Sequence, residues 1–525
     1  MYSRRHPSTA RRRAALFAAA AGLLLVGIPA CSPKSSQAAE GTLAALPSSD
    51  EARLRTYYEQ DPKWRKCGAP GFECATLKAP LDYDKPSAGD IDLAVSRKKA
   101  TGPGKRLGSL LVNPGGPGGS AIGYLQGYAG IGYPKEVRAR YDMVAVDPRG
   151  VARSAPVTCL DGKQMDAYTQ TDVTPDDRGE QKKLTAAFAT FAKGCETKDR
   201  TSRRVLPHVS TVEAARDMDL VRAAVGDKKL NYVGASYGTF LGATYAGLYP
   251  ERVGRFVLDG AMDPSLPARE LNEQQTAGFE TAFQSFAKDC VARSGCPLGT
   301  GTPHQAGQRL KSFFTEVDAA PLATGDADGR KLGESLATTG VIAAMYDEGA
   351  WPQLREALTA AMTKRDGSGL LALSDSYYER DADGKYANLM FANAAVNCLD
   401  QPPAFTSPKE VEEALPAFEK ASPVFGAGLA WSALNCASWP VKATGEAHRI
   451  TAEGAAPIVV VGTTRDPATP YPWAKALAAQ LSSGRLLTYD GDGHTAYGRG
   501  SDCIDGAIDT YLVSGTPPRD GKRCS

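Results

Sequence analysis

The sequence predicts an α/β fold: a mostly parallel sheet flanked by helices, with a helical block inserted late in the sheet. Three observations predict it. Short apolar runs ending in Gly, Asp or Asn alternate with segments of helical character, as strand–helix–strand crossovers require. From about residue 265 to 445 this alternation stops and helical spacing takes over. After 445 the strand-like runs resume and carry pieces that the first half needs, so one sheet is interrupted rather than two domains being placed in tandem.

Taken in order, residues 1–30 read as an export signal. Arg4, Arg5, Arg11, Arg12 and Arg13 precede an apolar, alanine-rich stretch at 14–30, shorter than the roughly 20 residues a spanning helix needs. The stretch ends Ile28-Pro29-Ala30-Cys31, which resembles a bacterial lipobox and makes Cys31 a lipidation candidate. Residues 31–50, rich in Ser, Ala and Pro, read as a flexible tether. The first part of the core spans 51–264. Its runs at 107–113 (LGSLLVN) and 141–147 (YDMVAVD) are short and apolar. Residues 210–225 form a helix opened by Ser210 and Glu213 in capping-box spacing, followed by strands at 230–233 and 255–258. The cap spans 265–445, with Trp351, Leu354, Leu358, Ala361 and Met362 at helical spacing. Strands at 457–461 (PIVVV) and 485–489 (RLLTY) return the chain to the core, 446–525.

The five N-terminal arginines account for the positive balance. Without them 56 basic residues face 59 acidic ones, a net charge of −3, so nucleic acid is not an expected partner. Setting Cys31 aside leaves ten cysteines: Cys67, Cys74, Cys159, Cys195, Cys290, Cys296, Cys398, Cys436, Cys503 and Cys524. An even number in an exported chain predicts disulfides. Ten cysteines allow about 945 pairings, and pairing in sequence order is the simplest because each bond then closes a local loop. No C-x-x-C occurs, and neither a metal nor an organic cofactor is expected.

Gly234-Ala235-Ser236-Tyr237-Gly238 sits between a strand and a helix. In that context G-x-S-x-G is a turn that lifts a serine hydroxyl above the sheet edge, with helix N–H groups beneath it. Such a serine needs a base, and the base an orienting acid. His494, in the turn after RLLTY, and Asp466, directly after PIVVV, lie at strand C-terminal ends in the required order. His304 and His448 are the rival bases and Asp492 the rival acid. An oxyanion hole is expected from Gly115 or Gly116, in the stretch 113–120 (NPGGPGGS), together with Tyr237.

NPGGPGGS is similar to the HGGPG-type loop of prolyl aminopeptidases within the α/β-hydrolases, with Pro114 in place of the first histidine. Residues 147–154 (DPRGVARS) resemble their D-x-R-G-x-G-x-S segment, with Ala152 in place of a glycine. GASYG, RDPATP and GDGHTAYG complete the pattern. Over roughly 55–525, cysteine pattern included, the chain resembles the secreted tripeptidyl aminopeptidases and mycelium-associated proteinases of actinobacteria. The resemblance implies an α/β-hydrolase fold with a helical cap and a serine exopeptidase releasing N-terminal tripeptides. In it Ser236 is the nucleophile, Asp466 the orienting acid and His494 the base. Prolyl aminopeptidase, serine esterase and a non-catalytic peptide-binding lipoprotein are the alternatives. A free α-ammonium needs a counter-charge; Asp400, ending a cap segment that resembles the family's, is the candidate, with Asp347 and Glu348 as rivals. The expected setting is a monomer, secreted or lipid-anchored at the outer face of the cell membrane, whose partners are peptides with a free N-terminus.

Overall fold

A computed structural model of the protein describes residues 39, 41–47 and 52–525. The signal segment and Cys31 lie outside the described residues. The described residues form one compact unit.

Ten strands form a single sheet: β1 (Arg65–Lys66), β2 (Phe72–Pro80), β3 (Asp90–Lys98), β4 (Gly108–Asn113), β5 (Tyr141–Val146), β6 (Leu230–Ala235), β7 (Val253–Asp259), β8 (Ile458–Arg465), β9 (Gly484–Asp492) and β10 (Lys522–Cys524). Their order is β1-β2-β3-β5-β4-β6-β7-β8-β9-β10. From β5 to β10 every pairing is parallel; β1, β2 and β3 are antiparallel to their neighbours. The antiparallel edge was not expected, although β3 carries the period-two signal in Ile91, Leu93 and Val95, all buried. All six residues of β4 are buried. Leu111 packs in one face's core and Leu110 and Val112 in the other's, so a strand covered on both sides reads as a continuous apolar run.

The strand order reverses around β4, which lies between β5 and β6. In open α/β sheets the crevice at such a reversal is where ligands bind. The loops leaving the C-terminal ends of β4 and β6 therefore share one position: Asn113 is in register with Gly234.

The insertion between β7 and β8 is helical, from Ala268–Val291 to Gly426–Ser432. It has its own core, in which Phe283, Phe286, Phe313, Leu354 and Leu358 are buried. Its boundaries in space differ from those in sequence. Leu184 and Phe188, from a helix before β6 (Arg178–Thr197), pack with Phe405, Val411 and Trp431 of the insertion. The tether expected at 31–50 also needs correction. Residues 41–47 are docked: Leu43 N–H donates to Arg449 O (2.9 Å) and Leu46 N–H to Leu248 O (3.0 Å). The cause is local composition, since Leu43 and Leu46 supply apolar side chains that pack on the core.

Five disulfides join the ten cysteines in sequence order: Cys67–Cys74, Cys159–Cys195, Cys290–Cys296, Cys398–Cys436 and Cys503–Cys524. Bonds of this kind persist in oxidising compartments.

Candidate active site

Ser236 follows β6 directly and opens the helix Tyr237–Leu248. Its backbone is strained, at φ 57° and ψ −128°, a conformation that costs of order 1–3 kcal/mol in a residue with a side chain. The N–H of Ser236 donates to Asp259 O at the end of β7 (2.8 Å). The flanking glycines are there for space. A Cβ on Gly234 would stand 2.4 Å from Gly238 O, and one on Gly238 would stand 2.9 Å from Asn113 O.

The loop after β4 closes on this turn. A Cβ on Gly115 would lie 2.5 Å from Ala235 O and 3.0 Å from Tyr237 N, so only glycine permits the approach. The Gly115 N–H is already donated to Asn113 Oδ1 (2.8 Å), which removes it from the expected oxyanion donors. Among the described residues no side chain takes the N–H of Gly116 or Tyr237 in this way, and Gly116 and Ser236 line the same cavity. Asp147 braces the loop: its Oδ1 accepts from Ser120 Oγ (2.8 Å) and Ile122 N (3.0 Å). Arg149 is buried and bound twice to Asp217, at 2.7 Å each, so this part of DPRGVARS is a framework.

Asp466 and His494 lie side by side. His494 Nδ1 lies 2.8 Å from Asp466 Oδ1 and 3.0 Å from Oδ2. The carboxylate also accepts from Ala468 N (2.9 Å), Thr469 N (2.8 Å) and Thr495 N (3.1 Å). An acid so occupied fixes the proton on Nδ1 and leaves Nε2 as the basic atom. Nε2 is buried without a hydrogen-bond partner among the described residues. The Ser236–His494 bond is therefore not made in this state; such contacts often tighten only with substrate bound. The rivals are placed elsewhere. Asp492 pairs with Arg465 (2.9 Å), His304 with Gln308 (3.2 Å) and His448 with Glu446 O (2.8 Å).

Several participants escaped the sequence reading. Tyr346, from the cap, sets its ring edge-on against His494 (5.3 Å between centroids), and its carbonyl accepts the His494 N–H (2.8 Å). Asp259 accepts from the N–H groups of Ala496 (3.0 Å) and Tyr497 (2.9 Å). Burial pushes its carboxyl up to about 6. It ties the loop carrying His494 to the strand that anchors Ser236. Only a terminal aspartate in RFVLD signalled it.

Above Ser236 is a cavity of about 320 Å³, roofed by cap residues that include Leu271, Asn393 and Asn435. Asp400 is the one charged residue in its wall among the described residues. Its two oxygens accept from Thr211 N (2.7 Å) and Thr211 Oγ1 (2.6 Å), and Thr211 Oγ1 lies 2.6 Å from the Tyr237 hydroxyl. Burial raises the Asp400 carboxyl to about 7, against the opposing pull of Thr211. Asp347 instead binds Arg499 (2.9 Å), and neither it nor Glu348 lines the cavity. Two trios, Asp82/His208/Glu213 and Asp172/Asp318/Glu334, group potential metal-ligand atoms within 4.8 Å; neither includes a residue of this cavity.

Serine protease Hip1 of Mycobacterium tuberculosis is 40% identical over 470 residues, covering 86% of this chain and 87% of that protein. The chain belongs to the TAP-like family of α/β-hydrolases. The family model described as TAP-like protein matches residues 422–524, the part that carries Asp466 and His494. Two further relatives are carboxylesterase B of Mycobacterium tuberculosis, 37% identical over 96% of both chains, and the tripeptidyl aminopeptidase of Streptomyces coelicolor, 31% identical over 87% of this chain and 85% of that one. The protein is a serine hydrolase with the α/β-hydrolase fold.

Proposed function

We propose that this hydrolase is an exported exopeptidase that removes tripeptides from the N-termini of peptides through an acyl-enzyme. His494 Nε2 takes the Ser236 proton as Oγ attacks the scissile carbonyl. The N–H groups of Gly116 and Tyr237 hold the oxyanion, and Asp466 stabilises the imidazolium. The protonated His494 then gives its proton to the leaving amine, and water, activated by the same imidazole, releases the tripeptide.

One observation carries the aminopeptidase part. Among the described residues the cavity over Ser236 is otherwise uncharged and holds a single carboxylate, Asp400. A peptide α-ammonium is the cation that such a wall would select, because a desolvated charge requires a partner. The relative named tripeptidyl aminopeptidase supports the length of the released piece. Export is supported by the N-terminal arginines and apolar run and by five disulfides; lipidation of Cys31 would then hold the enzyme at the outer membrane face.

Carboxylesterase B as a relative keeps esterase chemistry on the same residues in view. Chromogenic esters and mono-, di- and tripeptide p-nitroanilides, assayed side by side with fluorophosphonate labelling of Ser236, separate the readings. Fast turnover of tripeptide amides alone supports the proposal. Turnover of esters with no amide cleaved refutes it.

A further inference from the structure

A second cavity, of about 220 Å³, adjoins the one above Ser236. The two share four wall residues, Tyr377, Leu429, Ser432 and Asn435. The second chamber lies between the cap and the helices that precede β6, with Tyr168, Leu184, Phe188, Ile342 and Met390 in its wall. No charged residue lines it among the described residues.

Much of its polar lining is already satisfied. Ser335 Oγ donates to Thr169 O (3.0 Å), and Thr339 Oγ1 donates to Ser335 O (2.9 Å) and lies 3.3 Å from the Tyr378 hydroxyl. The Tyr377 ring packs against that of Tyr346, 6.1 Å between centroids. What these walls offer a ligand is aromatic and aliphatic surface, which rewards burial of an uncharged, bulky group. The position of the shared wall is informative as well. Tyr377 borders both chambers and touches Tyr346, whose ring stands against His494.

We infer that this annex is the pocket for the substrate side chain nearest the scissile bond on the released side, and that it selects a large apolar or aromatic one. This rests on the peptidase reading above, with the α-ammonium at Asp400 and the third residue of the released peptide beside His494.

The test compares Ala-Ala-Phe, Ala-Ala-Ala and Phe-Ala-Ala p-nitroanilides on the full enzyme, on a Thr338→Trp variant, Thr338 being another residue of the annex wall where a tryptophan would fill the annex, and on Met390→Ala, which enlarges it. The wild type is expected to favour Ala-Ala-Phe over Ala-Ala-Ala by about tenfold or more in kcat/KM, the worth of burying one such ring. Thr338→Trp should erase that preference while Ala-Ala-Ala changes less than about twofold, a difference small beside one buried ring. Met390→Ala should keep or increase the preference. Equal losses on all substrates in Thr338→Trp, no preference in the wild type, or a preference for Phe-Ala-Ala instead would overturn the inference. If no amide is cleaved, the peptidase reading falls. The annex is then judged by p-nitrophenyl 4-phenylbutyrate against p-nitrophenyl acetate: Thr338→Trp slowing only the former upholds an apolar pocket, and equal rates refute it. Fluorophosphonate labelling of Ser236 in each variant confirms that the catalytic turn is intact.

Discussion

Replacing Asp400 by Asn removes the one negative charge that the described residues place in the cavity wall and keeps its shape. An amide at this position retains an acceptor for Thr211 N–H, and its NH₂ can donate to Thr211 Oγ1, whose proton then turns to the Tyr237 hydroxyl. The fold is therefore expected to survive. A hydrogen bond to a charged group contributes about 1.5–3 kcal/mol, so kcat/KM for a tripeptide p-nitroanilide with a free amine should fall about 10- to 150-fold, at one decade per about 1.4 kcal/mol. The N-acetylated counterpart, which has no cation to lose, should be unaffected. The pH profile adds a second constraint. Asp400 titrates at about 7 and a peptide α-amino group at about 8. Since kcat/KM reports free enzyme and free substrate, the preference for the free amine should fade below the first value and above the second. In Asp400→Asn the acid limb disappears. The measurement is kcat/KM for both substrates from pH 5 to 9. Equal losses on free and acetylated substrates, or a wild type indifferent to acetylation, would refute the role given to Asp400.

Ser236→Ala should abolish turnover and fluorophosphonate labelling with an unchanged melting temperature. Asp466→Asn should lower kcat by about 10⁴-fold, because an amide no longer fixes the proton on Nδ1; circular dichroism checks that the fold remains. Removing Cys159–Cys195 as a double alanine variant releases a crosslink between residues 36 apart and should lower the free energy of unfolding by about 4 kcal/mol, read by chemical denaturation. Asp259, held at about 6 in the fold against an ordinary 3.8, binds its proton more tightly folded than unfolded. Its contribution to stability must then decline as pH rises from about 4 to 6. The difference in melting temperature between wild type and Asp259→Asn across that window should show this slope; a flat difference would contradict it.

The parallel strands were legible because β4, β6 and β8 are buried on both faces and read as apolar runs. The residues at their ends were legible because turn chemistry there is confined to Gly, Pro, Asp and Ser. The edge strands were missed for the opposite reason. β2 alternates with exposed Thr76 and Lys78, and such half-wet strands contrast weakly with loops. Tyr346 and Asp259 act on His494 and its loop through contacts that sequence distance conceals: one comes from the cap, the other from a neighbouring strand. The fate of the Gly115 N–H depended on which way Asn113 turned its side chain. Ala152, where the family resemblance expects glycine, sits at φ 45°. The departure was visible in the sequence, but the positive φ needed coordinates. The turn is held by Asn388 of the cap, whose Oδ1 accepts the Ala152 N–H (2.8 Å) and whose Nδ2 donates to Gly150 O (2.8 Å).

The carbonyl of Tyr346 grips the main chain of His494, so the roof over the pocket is also tied to the imidazole beneath it. Any exchange of this lid is constrained by that bond. A grafted lid must present an acceptor to residue 494, or the recipient enzyme will gain a new pocket at the expense of an aimed imidazole.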